Sequence, residues 1–370
     1  MRILHIHESL KVGGLEQLMC NLVNELSKYE EVSLCTFYDL DSSESLSDSL
    51  CEKVKRLTLG NENCSFITRL LNEVRIYQII KDGQYDIVHI HQHFLFFFFA
   101  ILMSHKRVKF FYTIHSDAYM ENGTLGRMFL WLKKMYFRRH WMTPITISPA
   151  SQESFSKLYR CSSIMISNGI KVPVLSDKKN IVDEYREKGY DKIFVHAGRI
   201  SRAKNQIVLC KVFSRLINEG ENVVLLIAGP KEYQSVWDEI EPFINERIVY
   251  LGSRNDIPDL FAKADAMCLP SIYEGLPITL LEAISVGCIS ICSPVGGIVN
   301  VIENGVNGIV SESSNEEDYY HAMKSFLSKS DDEIIKMKEA TKASFKDYDI
   351  CKTAQEYLNV YNQVLNYRQL

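Results

Sequence analysis

Short runs of β-branched and other apolar residues alternate along the chain with longer segments in which apolar residues recur every three or four positions. This alternation is typical of parallel α/β architecture, because each strand is followed by a helix that packs on the sheet. In the first half, a helix is predicted at 15–28, after the first strand, and a polar loop at 39–49. The strands predicted in this half are 2–8, 31–38, 86–91, 108–115 and 144–148.

The same alternation starts again after a segment that lacks hydrophobic periodicity. Residues 167–180, SNGIKVPVLSDKKN, carry turn-forming residues and a proline, and we predict an interdomain linker there. The elements predicted beyond the linker are strands at 192–198, 222–229, 247–252, 265–270 and 288–293, and helices at about 204–219, 233–244, 277–286, 315–328 and 350–366.

The chain is therefore predicted to hold two doubly wound α/β domains in tandem. The expected division is 1–170 for the first domain, 171–350 for the second and 351–370 for a last helix. Ligands of doubly wound sheets bind outside the carboxyl ends of the strands. The cleft between two such domains is the expected site.

Composition and charge fit a globular protein and exclude one class of partner. Of the 370 residues, 46% are hydrophobic and 24% are charged, with a net charge of -4. A chain of this length divides into two cores more readily than it builds one. Because the chain has no basic excess, we do not expect nucleic acid as a partner.

The N-terminus, the apolar runs and the cysteines indicate the compartment. The N-terminus, MRILHIHESL, has no long apolar run, so we expect no signal peptide. The longest apolar run, 94–103, is about half of a bilayer span and predicts a buried helix. Ten cysteines lie at irregular spacings without a CxxC pair or a Cys/His zinc pattern. This usage indicates a reduced, cytoplasmic protein.

A glycine pair lies between the first predicted strand and the first predicted helix. In HIHESLKVGGLEQLMCNL, Gly13 and Gly14 lie where strand 2–8 gives way to the first helix. Without Cβ atoms they allow backbone N–H groups to approach a phosphate or sugar at a helix N-terminus. The spacing is not the GxGxxG of dinucleotide-binding folds. A tight turn that needs glycine for its φ angle is the alternative interpretation.

A basic loop follows the first strand of the second half. In HAGRISRAKNQ, Arg199 and Lys204 lie between strand 192–198 and the next helix. Two cations beside a helix N-terminus can clamp a diphosphate and neutralise it as a leaving group. An ordinary solvated loop is the alternative.

Two glutamates flank the start of a later helix in SIYEGLPITLLEA. Glu274 lies in the loop after strand 265–270, and Glu282 lies within the following helix. A carboxylate can accept two hydrogen bonds from a sugar or ribose diol. Pro277 suits the first helical turn, and the backbone N–H groups of residues 275–278 are expected to meet a phosphate or sugar oxygen. The predicted donor-binding residues of this stretch are Glu274, Gly275, Leu276, Pro277, Ile278 and Glu282.

These motifs occur together and in order. The Glu-x7-Glu of 274–282, the GR-x4-K of 198–204 and the Gly-Gly loop, with SNGI (167–170) and PVGGIVNVIENGVNGIV (294–310), resemble the retaining GT-B glycosyltransferases of family four, or glycosyl transferases group 1, of the bacterial surface-polysaccharide type. The resemblance covers nearly the whole chain. It implies an α/β GT-B fold, with two Rossmann-like domains facing across a cleft and a last helix that packs back on the first.

The resemblance also implies a role for each donor-site residue. Arg199 and Lys204 would bind the donor diphosphate, with Gly14 near the phosphates from the acceptor-binding N-terminal domain. Glu274 would contact the transferred sugar, and Glu282 the ribose hydroxyls.

His115, in YTIHSD, matches a family histidine near the reacting sugar. The implied catalytic group is His115, Glu274, Arg199 and Lys204. Family members retain anomeric configuration by front-face attack through an oxocarbenium-like state. Glu274 is therefore not assigned as a covalent nucleophile, and no second carboxylate is paired with it.

Two further patterns resemble metal sites. Asp39-Leu40-Asp41 is a DxD, but it lies in a Ser/Asp-rich loop and the Arg/Lys clamp already supplies cations. His89, His91 and His93 share one strand face. No cysteine or carboxylate stands at a partner spacing, so a packed or cleft-lining strand end is favoured. We expect no metal and no cofactor.

Residues 126–141, GRMFLWLKKMYFRRHW, combine aromatic residues with cations and lack acidic ones. The cations are Arg127, Lys133, Lys134, Arg138 and Arg139. Such a helix can lie on an anionic membrane surface, which would place the protein peripherally on the inner face of the cell membrane. An ordinary helix with one packed and one solvated face is the alternative.

The function expected is retaining transfer of a hexose-type sugar from a nucleotide diphosphate sugar to a growing glycan or lipid-linked acceptor in surface polysaccharide biosynthesis. UDP is the nucleotide expected from the resemblance, because it is the usual one in the family, and GDP and ADP remain alternatives. Two alternatives remain: a UDP-sugar epimerase of GT-B fold, and a non-catalytic nucleotide-sugar-binding subunit. The sequence leaves the sugar, the acceptor, the linkage and the oligomeric state open.

Overall fold

A computed structural model describes residues 1–11, 13–38, 45–60, 66–91, 97–121 and 129–366, with the side chains of 66–70 left out. The chain forms two compact units. Unit 1 comprises Met1–Lys171 with Tyr348–Leu370, and unit 2 comprises Val172–Asp347. The structure thus divides the chain within the segment that carries the turn residues of 167–180.

Unit 1 is built on a seven-stranded sheet in which every pairing is parallel. Its strand order is β3-β2-β1-β4-β5-β6-β7, so the order reverses between β1 and β4. The strands are β1 Arg2–His7, β2 Glu31–Thr36, β3 Lys55–Thr58, β4 Ile87–Ile90, β5 Lys109–Ile114, β6 Met142–Thr146 and β7 Ile164–Met165.

Seven described α-helices belong to unit 1, and most of them connect its strands. They pack on the sheet through apolar faces, and their core includes Phe97, Tyr136, Phe155 and Tyr159. The helices are α1 Gly14–Leu26, α2 Phe66–Gly83, α3 Phe98–Ser104, α4 Ala118–Glu121, α5 Leu130–Arg138, α6 Pro149–Tyr159 and, at the end of the chain, α15 Ile350–Asn366.

The last helix, α15, packs within unit 1. Tyr361 is fully buried, with its ring 4.9 Å from that of Phe111 and its hydroxyl 2.5 Å from Nδ1 of His89. The motif SNGI has its structural reason here. A Cβ atom on Gly169 would lie less than 3.0 Å from Oγ1 of Thr353 and the carbonyl oxygen of Asp349. Glycine therefore permits the chain before unit 2 to pass close to the chain that returns from it.

Unit 2 repeats the arrangement with six parallel strands in the order β10-β9-β8-β11-β12-β13, so the order reverses between β8 and β11. Its strands are β8 Lys192–Ala197, β9 Val223–Ala228, β10 Ile248–Gly252, β11 Ala266–Leu269, β12 Ile289–Cys292 and β13 Gly308–Val310. Its helices are α7 Ile181–Glu187, α8 Gln206–Asn218, α9 Gln234–Ile240, α10 Ile257–Lys263, α11 Ile278–Ser285, α12 Ile298–Val301, α13 Glu316–Leu327 and α14 Asp331–Ser344.

The predicted α/β class is confirmed, and each predicted strand coincides with an observed one. The strands that the sequence missed are β3, β7 and β13, which have two to four residues and lie at or near sheet edges. Such short strands carry too few residues to show a period of two. The apolar run 94–103 gives helix α3 from Phe98, and residues 94–96 lie outside the described part of the chain.

None of the described helices combines the length and the apolar character needed to cross a bilayer.

Candidate functional site

The candidate site of unit 2 lies at the point where its strand order reverses. Chains that leave β8 and β11 at their carboxyl ends diverge there, which opens a crevice for a ligand in doubly wound sheets. After β8 comes the loop Gly198–Asn205, and after β11 comes the loop Pro270–Pro277. All the donor-site residues predicted in this unit lie on these loops or on the helix α11 that follows.

Gln206 fixes the loop after β8. Its side chain is fully buried, and its amide nitrogen donates to the carbonyl oxygen of Arg199 at 2.9 Å and lies 3.0 Å from Nε2 of His196. Its amide oxygen accepts from the backbone N–H of Ser201 at 3.3 Å. Burial lowers the pKa of His196 to about 4. This neutral ring donates from Nδ1 to the carbonyl of Cys268, so Nε2 accepts from Gln206.

Asn205 ties the same loop to the neighbouring strand ends. It adopts a left-handed conformation with φ of 56°, a region that asparagine tolerates better than most residues. Its side-chain amide donates to the carbonyl oxygens of Pro270 at 3.1 Å and Ser314 at 2.9 Å. The backbone N–H of Ile272 in turn donates to the carbonyl of Ala203 at 2.8 Å. The two loops are therefore held side by side through main-chain groups.

Lys204 and Glu274 meet where these loops adjoin. Nζ of Lys204 donates to Oε1 of Glu274 at 2.6 Å, and the hydroxyl of Ser271 donates to the same oxygen at 2.6 Å. The two charged side chains are 21% and 10% exposed. A charge-assisted hydrogen bond between side chains so largely removed from solvent orients both groups. The sequence predicted both residues for the site, and the structure brings them into direct contact.

The glycine pair of PVGGIV, Gly296 and Gly297, packs against the backbone of Glu274 and Gly275. Gly296 has φ of +55°, and a Cβ atom there would lie less than 3.0 Å from the carbonyl oxygen of Glu274. Gly297 donates its backbone N–H to the carbonyl of Gly275 at 2.5 Å. Only a residue without a side chain fits this close approach of two backbones. The glycines therefore set the position of the loop that presents Glu274.

Helix α11 begins at Ile278, with Pro277 as its N-cap. The proline thus lies one residue before the predicted first turn, and because it has no N–H it cannot donate to a ligand. The N–H groups of Ile278 and Thr279 face out of the helix N-terminus without an acceptor among the described residues. Oγ1 of Thr279 is also buried and has no described partner.

Glu282 lies one turn beyond Thr279 on the same face of α11, since residues three apart share a helix face. Burial raises the pKa of its carboxyl group to about 7. No described residue forms a hydrogen bond or ion pair with this carboxyl group. The first five residues of α11 therefore carry several polar groups that the described protein leaves unsatisfied, as expected for a surface that binds a polar ligand.

Arg199 lies on the loop after β8 but forms its ion pair with Glu232 and not with Glu274. Its guanidinium Nη1 lies 3.2 Å from Oε1 of Glu232, and its side chain is 67% exposed. A surface pair of this kind is weak and exchanges readily with solvent or another anion. The structure thus places Arg199 on the predicted loop without joining it to the Lys204–Glu274 pair.

In unit 1 the glycine pair opens helix α1, with Gly13 as N-cap and Gly14 as the first helical residue. Gly13 has φ of -174°, which any residue adopts, so the alternative of a turn that needs glycine for its φ angle is wrong. The carboxylate of Glu16, in the first helical turn, folds back over Gly13. It also approaches His7, with 3.6 Å between Oε1 and Nε2.

Unit 1 collects five histidines near its own reversal of strand order: His5, His7, His89, His91 and His115. His89 and His91 share one face as predicted, with ring centroids 4.2 Å apart. His93 lies outside the described residues. Nitrogen atoms of His5, His89 and His91 lie within 4.8 Å of one another, close enough to share a metal ion.

Every ring nitrogen of these three histidines except Nε2 of His5 already has a partner among the described residues. Nδ1 of His89 lies 2.5 Å from the hydroxyl of Tyr361, and Nε2 lies 2.7 Å from that of Thr113. Nε2 of His91 lies 2.9 Å from Nδ1 of His5, and Nδ1 lies 3.1 Å from Nε2 of His115. A metal ion would have to break most of these hydrogen bonds. The arrangement is that of a hydrogen-bonded, packed strand end.

The basic helix of 126–141 requires one correction, and two other predicted features lie outside the described chain. Lys133 is 4% exposed, with its ammonium 3.6 Å from Oε1 of Glu121 and 4.0 Å from the centroid of the Tyr112 ring. Its assignment to a membrane-facing surface is therefore wrong. Arg127 and the Asp39-Leu40-Asp41 triplet lie outside the described residues.

Sequence reasoning missed several residues that build the site: Asn205, Gln206, Ser271, Thr279 and His196. Asn205 and Gln206 directly follow the predicted clamp, so their polar side chains at the start of a helix were a usable signal. Thr279 lies inside the Glu-x7-Glu stretch. Nothing in the sequence marks His196 or Ser271, since their roles depend on partners about 70 residues away or on a loop conformation.

Two parallel doubly wound units, with charged loops at a reversal of strand order, define a GT-B-like architecture. A family model for "Glycosyltransferase Family 4" matches residues 12–172, and one for "Glycosyl transferases group 1" matches residues 177–344. The chain belongs to this family of glycosyltransferases and has the GT-B fold. The predicted resemblance is thereby confirmed.

Individual relatives agree with the family over most of the chain. UDP-Gal:α-D-GlcNAc-diphosphoundecaprenol α-1,3-galactosyltransferase of Escherichia coli is 22% identical over 385 aligned residues, which span 96% of this chain and 97% of the relative. A glycosyltransferase structure from Rickettsia africae ESF-5 has a TM-score of 0.81 at 19% identity and covers 98% of each chain.

A third similar protein is Anabaena HepE, whose crystal structure was solved in complex with UDP and glucose. It has a TM-score of 0.79 at 18% identity, and the match covers 98% of this chain and 100% of that chain. At these identities the solved structures show a shared fold.

The close approach at Gly296 generates a stability prediction. We expect Gly296→Ala to lower the free energy of unfolding by about 3 kcal/mol or more, because strain at positive φ adds to a clash with the Glu274 backbone. Gly305→Ala is the matched control: its φ is +79°, and no atom lies within 4 Å of the position that the added methyl group would take. That variant should lose only about 1–2 kcal/mol. Urea unfolding measures both, and equal losses would contradict the assigned packing role.

Proposed function

We propose that the chain transfers a hexose-type sugar from a UDP-sugar, with retention of anomeric configuration, to a growing glycan or lipid-linked acceptor. The observation that carries the proposal is the group of polar atoms after β11. The Lys204–Glu274 pair, the outward N–H groups of α11 and Glu282 lie within one loop-helix segment and its neighbouring loop. Cations, free N–H groups and carboxylates together match a ligand that has both phosphates and hydroxyls.

Each chemical group has a place in this proposal. Lys204 and Arg199 bind the diphosphate and neutralise it as the bond to the sugar breaks. The helix N-terminus at Ile278 receives a phosphate oxygen. Glu274 accepts from hydroxyls of the transferred sugar, and Glu282 from the ribose diol. These roles require no metal ion, because the lysine and arginine supply the positive charge.

Binding of the donor changes the partners of Lys204. In the described structure its ammonium has Glu274 as acceptor. A diphosphate would share that ammonium, and sugar hydroxyls would supply Glu274 with donors in exchange. The ion pair therefore keeps both side chains in place before the ligand arrives, which lowers the reorganisation needed on binding.

Unit 1 has the acceptor-binding role in this proposal. Gly14, at the start of α1, contacts the phosphates, and His115 contacts the transferred sugar, as the family resemblance implies. UDP as carrier is supported by the names of two similar proteins, the Escherichia coli galactosyltransferase and Anabaena HepE in complex with UDP and glucose. A diphosphoundecaprenol-linked sugar as acceptor is supported by the first of them.

The direct experiment offers UDP-, GDP- and ADP-sugars to the purified protein with a diphosphoundecaprenol-linked amino sugar. Formation of a new α-glycosidic bond from an α-linked UDP-hexose, identified by NMR, supports the proposal. Sugar interconversion without a glycosidic product would favour the epimerase. Donor binding without transfer, unchanged by Glu274→Gln, would favour a non-catalytic subunit.

The clamp assignment predicts the behaviour of two variants. Lys204→Ala should lower kcat/KM by about 10²–10³, the loss typical of one charged donor at a developing anion. It should also weaken UDP binding, and Arg199→Ala should weaken UDP binding as well. Lys211→Ala, which removes an exposed lysine 3.7 Å from Glu316, is the control and should change neither. The assignment is wrong if both clamp variants bind UDP as tightly as the parent.

The raised pKa of Glu282 predicts a pH dependence. Because ribose hydroxyls donate to the carboxylate, UDP binding should lower its pKa and release a proton at pH values between the lowered pKa and about 7. The affinity for UDP should therefore rise about fivefold from pH 6 to pH 7 and about tenfold in all by pH 8, where it levels off. Glu282→Gln should abolish this rise in affinity, so that only the titration of UDP itself contributes to the pH dependence. Calorimetry on both proteins isolates the difference, and an identical pH profile would contradict the ribose assignment.

We further propose that the protein contacts an anionic membrane peripherally, through a surface on α2, α3 and α5. Six large apolar side chains are exposed on these helices: Leu71, Val74, Phe99, Leu102, Met103 and Trp131. Helices α3 and α5 adjoin, since the Tyr136 hydroxyl donates to the carbonyl of Phe98 and their rings stack. Tyr77 of α2 contacts Phe99 through an edge-on ring pair.

Cations lie on or next to the same helices. Lys106 follows α3 and is exposed, as are Arg138 and Arg139 at the end of α5, whereas Lys134 of α5 is half-buried. An apolar surface with basic residues beside it fits the boundary between anionic headgroups and acyl chains. This contact would hold the enzyme at the surface that carries a lipid-linked acceptor.

Charge reversal tests the membrane contact. Lys134→Glu with Arg138→Glu and Arg139→Glu should reduce binding to phosphatidylglycerol-containing vesicles by at least about 100-fold, since each basic residue contributes about 1 kcal/mol. The control reverses Lys53, Lys336 and Lys346, which lie on other elements, and so changes the net charge equally. Equal effects of both triple variants, or no sedimentation of the parent protein, would contradict the assigned surface.

A further inference from the structure

Three of the histidines in unit 1 form a continuous chain of imidazoles. Nδ1 of His5 lies 2.9 Å from Nε2 of His91, and Nδ1 of His91 lies 3.1 Å from Nε2 of His115. His5 and His91 are fully buried on or next to neighbouring strands, and His115 follows β5 in a half-buried position. The two outer nitrogens, Nε2 of His5 and Nδ1 of His115, are buried and have no partner among the described residues.

Each ring of the chain carries one proton at neutral pH. Burial lowers the pKa of all three rings, to about 3 for His5 and His115. A neutral imidazole has one N–H and one acceptor nitrogen, so both hydrogen bonds must run in the same direction. In one arrangement every Nδ1 is protonated, and the outward N–H is on His115. In the other every Nε2 is protonated, and the outward N–H is on His5.

The surroundings favour the first arrangement. His5 lies inside the sheet with no exposed surface, and an N–H on its Nε2 would be a donor without an acceptor among the described residues. Buried N–H groups without partners are rarer than acceptors with a spare lone pair. His115 lies at the carboxyl end of β5, where ligands of such sheets bind. Its Nδ1 is itself buried, but the residue keeps exposed surface, so water or a ligand can reach an N–H there with less rearrangement than at His5.

His89 holds the chain in place without taking part in it. Its nitrogens bond to the hydroxyls of Thr113 and Tyr361, and its ring stacks on His91 at 4.2 Å. The ring of His91 is thus fixed by stacking on one face and by a hydrogen bond at each nitrogen. Of the remaining described groups, His7 approaches edge-on, with its ring 6.5 Å from that of His91.

The geometry points to a positioning role for His91 and His5: they hold His115 in the tautomer whose Nδ1–H donates a hydrogen bond to an oxygen of the transferred sugar. This inference rests on the proposed function for the identity of the ligand. The tautomer itself is a property of the protein without ligand. Catalysis would depend on it because a ring protonated on Nε2 would turn an acceptor toward the same oxygen.

The tautomer is measured first, on the ligand-free protein with ¹⁵N-labelled histidine. Ring signals of His115 are assigned by their loss in His115→Gln, and we expect its Nδ1 to be the protonated nitrogen. His91→Asn keeps an amide N–H near the position of Nδ1 and should preserve this state, whereas His91→Leu should lose it. His105→Leu removes a histidine outside the chain, stacked on Trp141, and should leave it unchanged. Protonation of His115 on Nε2 in the parent protein would overturn the inference, and this result needs no variant at His91.

Kinetics then tests the consequence. His91→Leu should lower kcat at least about tenfold, the loss of one hydrogen bond, with little change in KM for the donor. His91→Asn should recover most of the rate, which a merely structural role would not explain. If the tautomer is as expected but no donor supports transfer, the proposed function fails while the tautomer assignment stands. If transfer occurs and His91→Leu keeps the parent's kcat, the positioning role is wrong.

Discussion

The hydrogen-bonded ion pair between Lys204 and Glu274 is the interaction on which the site of unit 2 depends. It joins loops that leave two strands on opposite sides of the point where the sheet reverses its order. Neither charge would be stable alone in a position so largely buried from solvent, because each needs a counterion or water. The surrounding main-chain contacts through Asn205 and Gly297 hold the loops where this pairing is possible. The arrangement of this charged candidate site thus follows from the topology of the sheet.

The two units use the same topology for different chemistry. In unit 2, the ends of β8 and β11 present a lysine and a carboxylate that are ready to exchange partners. In unit 1, His115 follows β5 with a ring that burial keeps neutral, bonded to the buried imidazoles of His91 and His5. A neutral hydrogen-bonding surface binds hydroxyls without attracting the phosphates, whereas the charged surface favours them. This contrast supports the proposed division between sugar or acceptor contacts and diphosphate contacts.

Sequence reasoning predicted the site best where one residue type at a fixed spacing carries the chemistry. Glu274 and Lys204 were found because a carboxylate and a lysine follow two predicted strands, and the carboxyl ends of parallel strands meet at one edge of a sheet. Gln206 and Asn205 were missed because their importance lies in bonds to Arg199, Pro270 and Ser314, which no local pattern shows. Lys133 was misassigned for the same reason: its cationic side chain turns inward to Glu121 and Tyr112.

The sequence by itself determined the α/β class, the two-fold repetition of the doubly wound pattern and the family, because periodicity and ordered motifs are local properties of the chain. Only the tertiary structure decided that Glu274 pairs with Lys204, that Glu282 lies in a setting that raises its pKa, and that three histidines form one hydrogen-bonded chain. These facts depend on burial and on distances between residues far apart in sequence. Desolvation and hydrogen bonding act only once folding has brought those residues together.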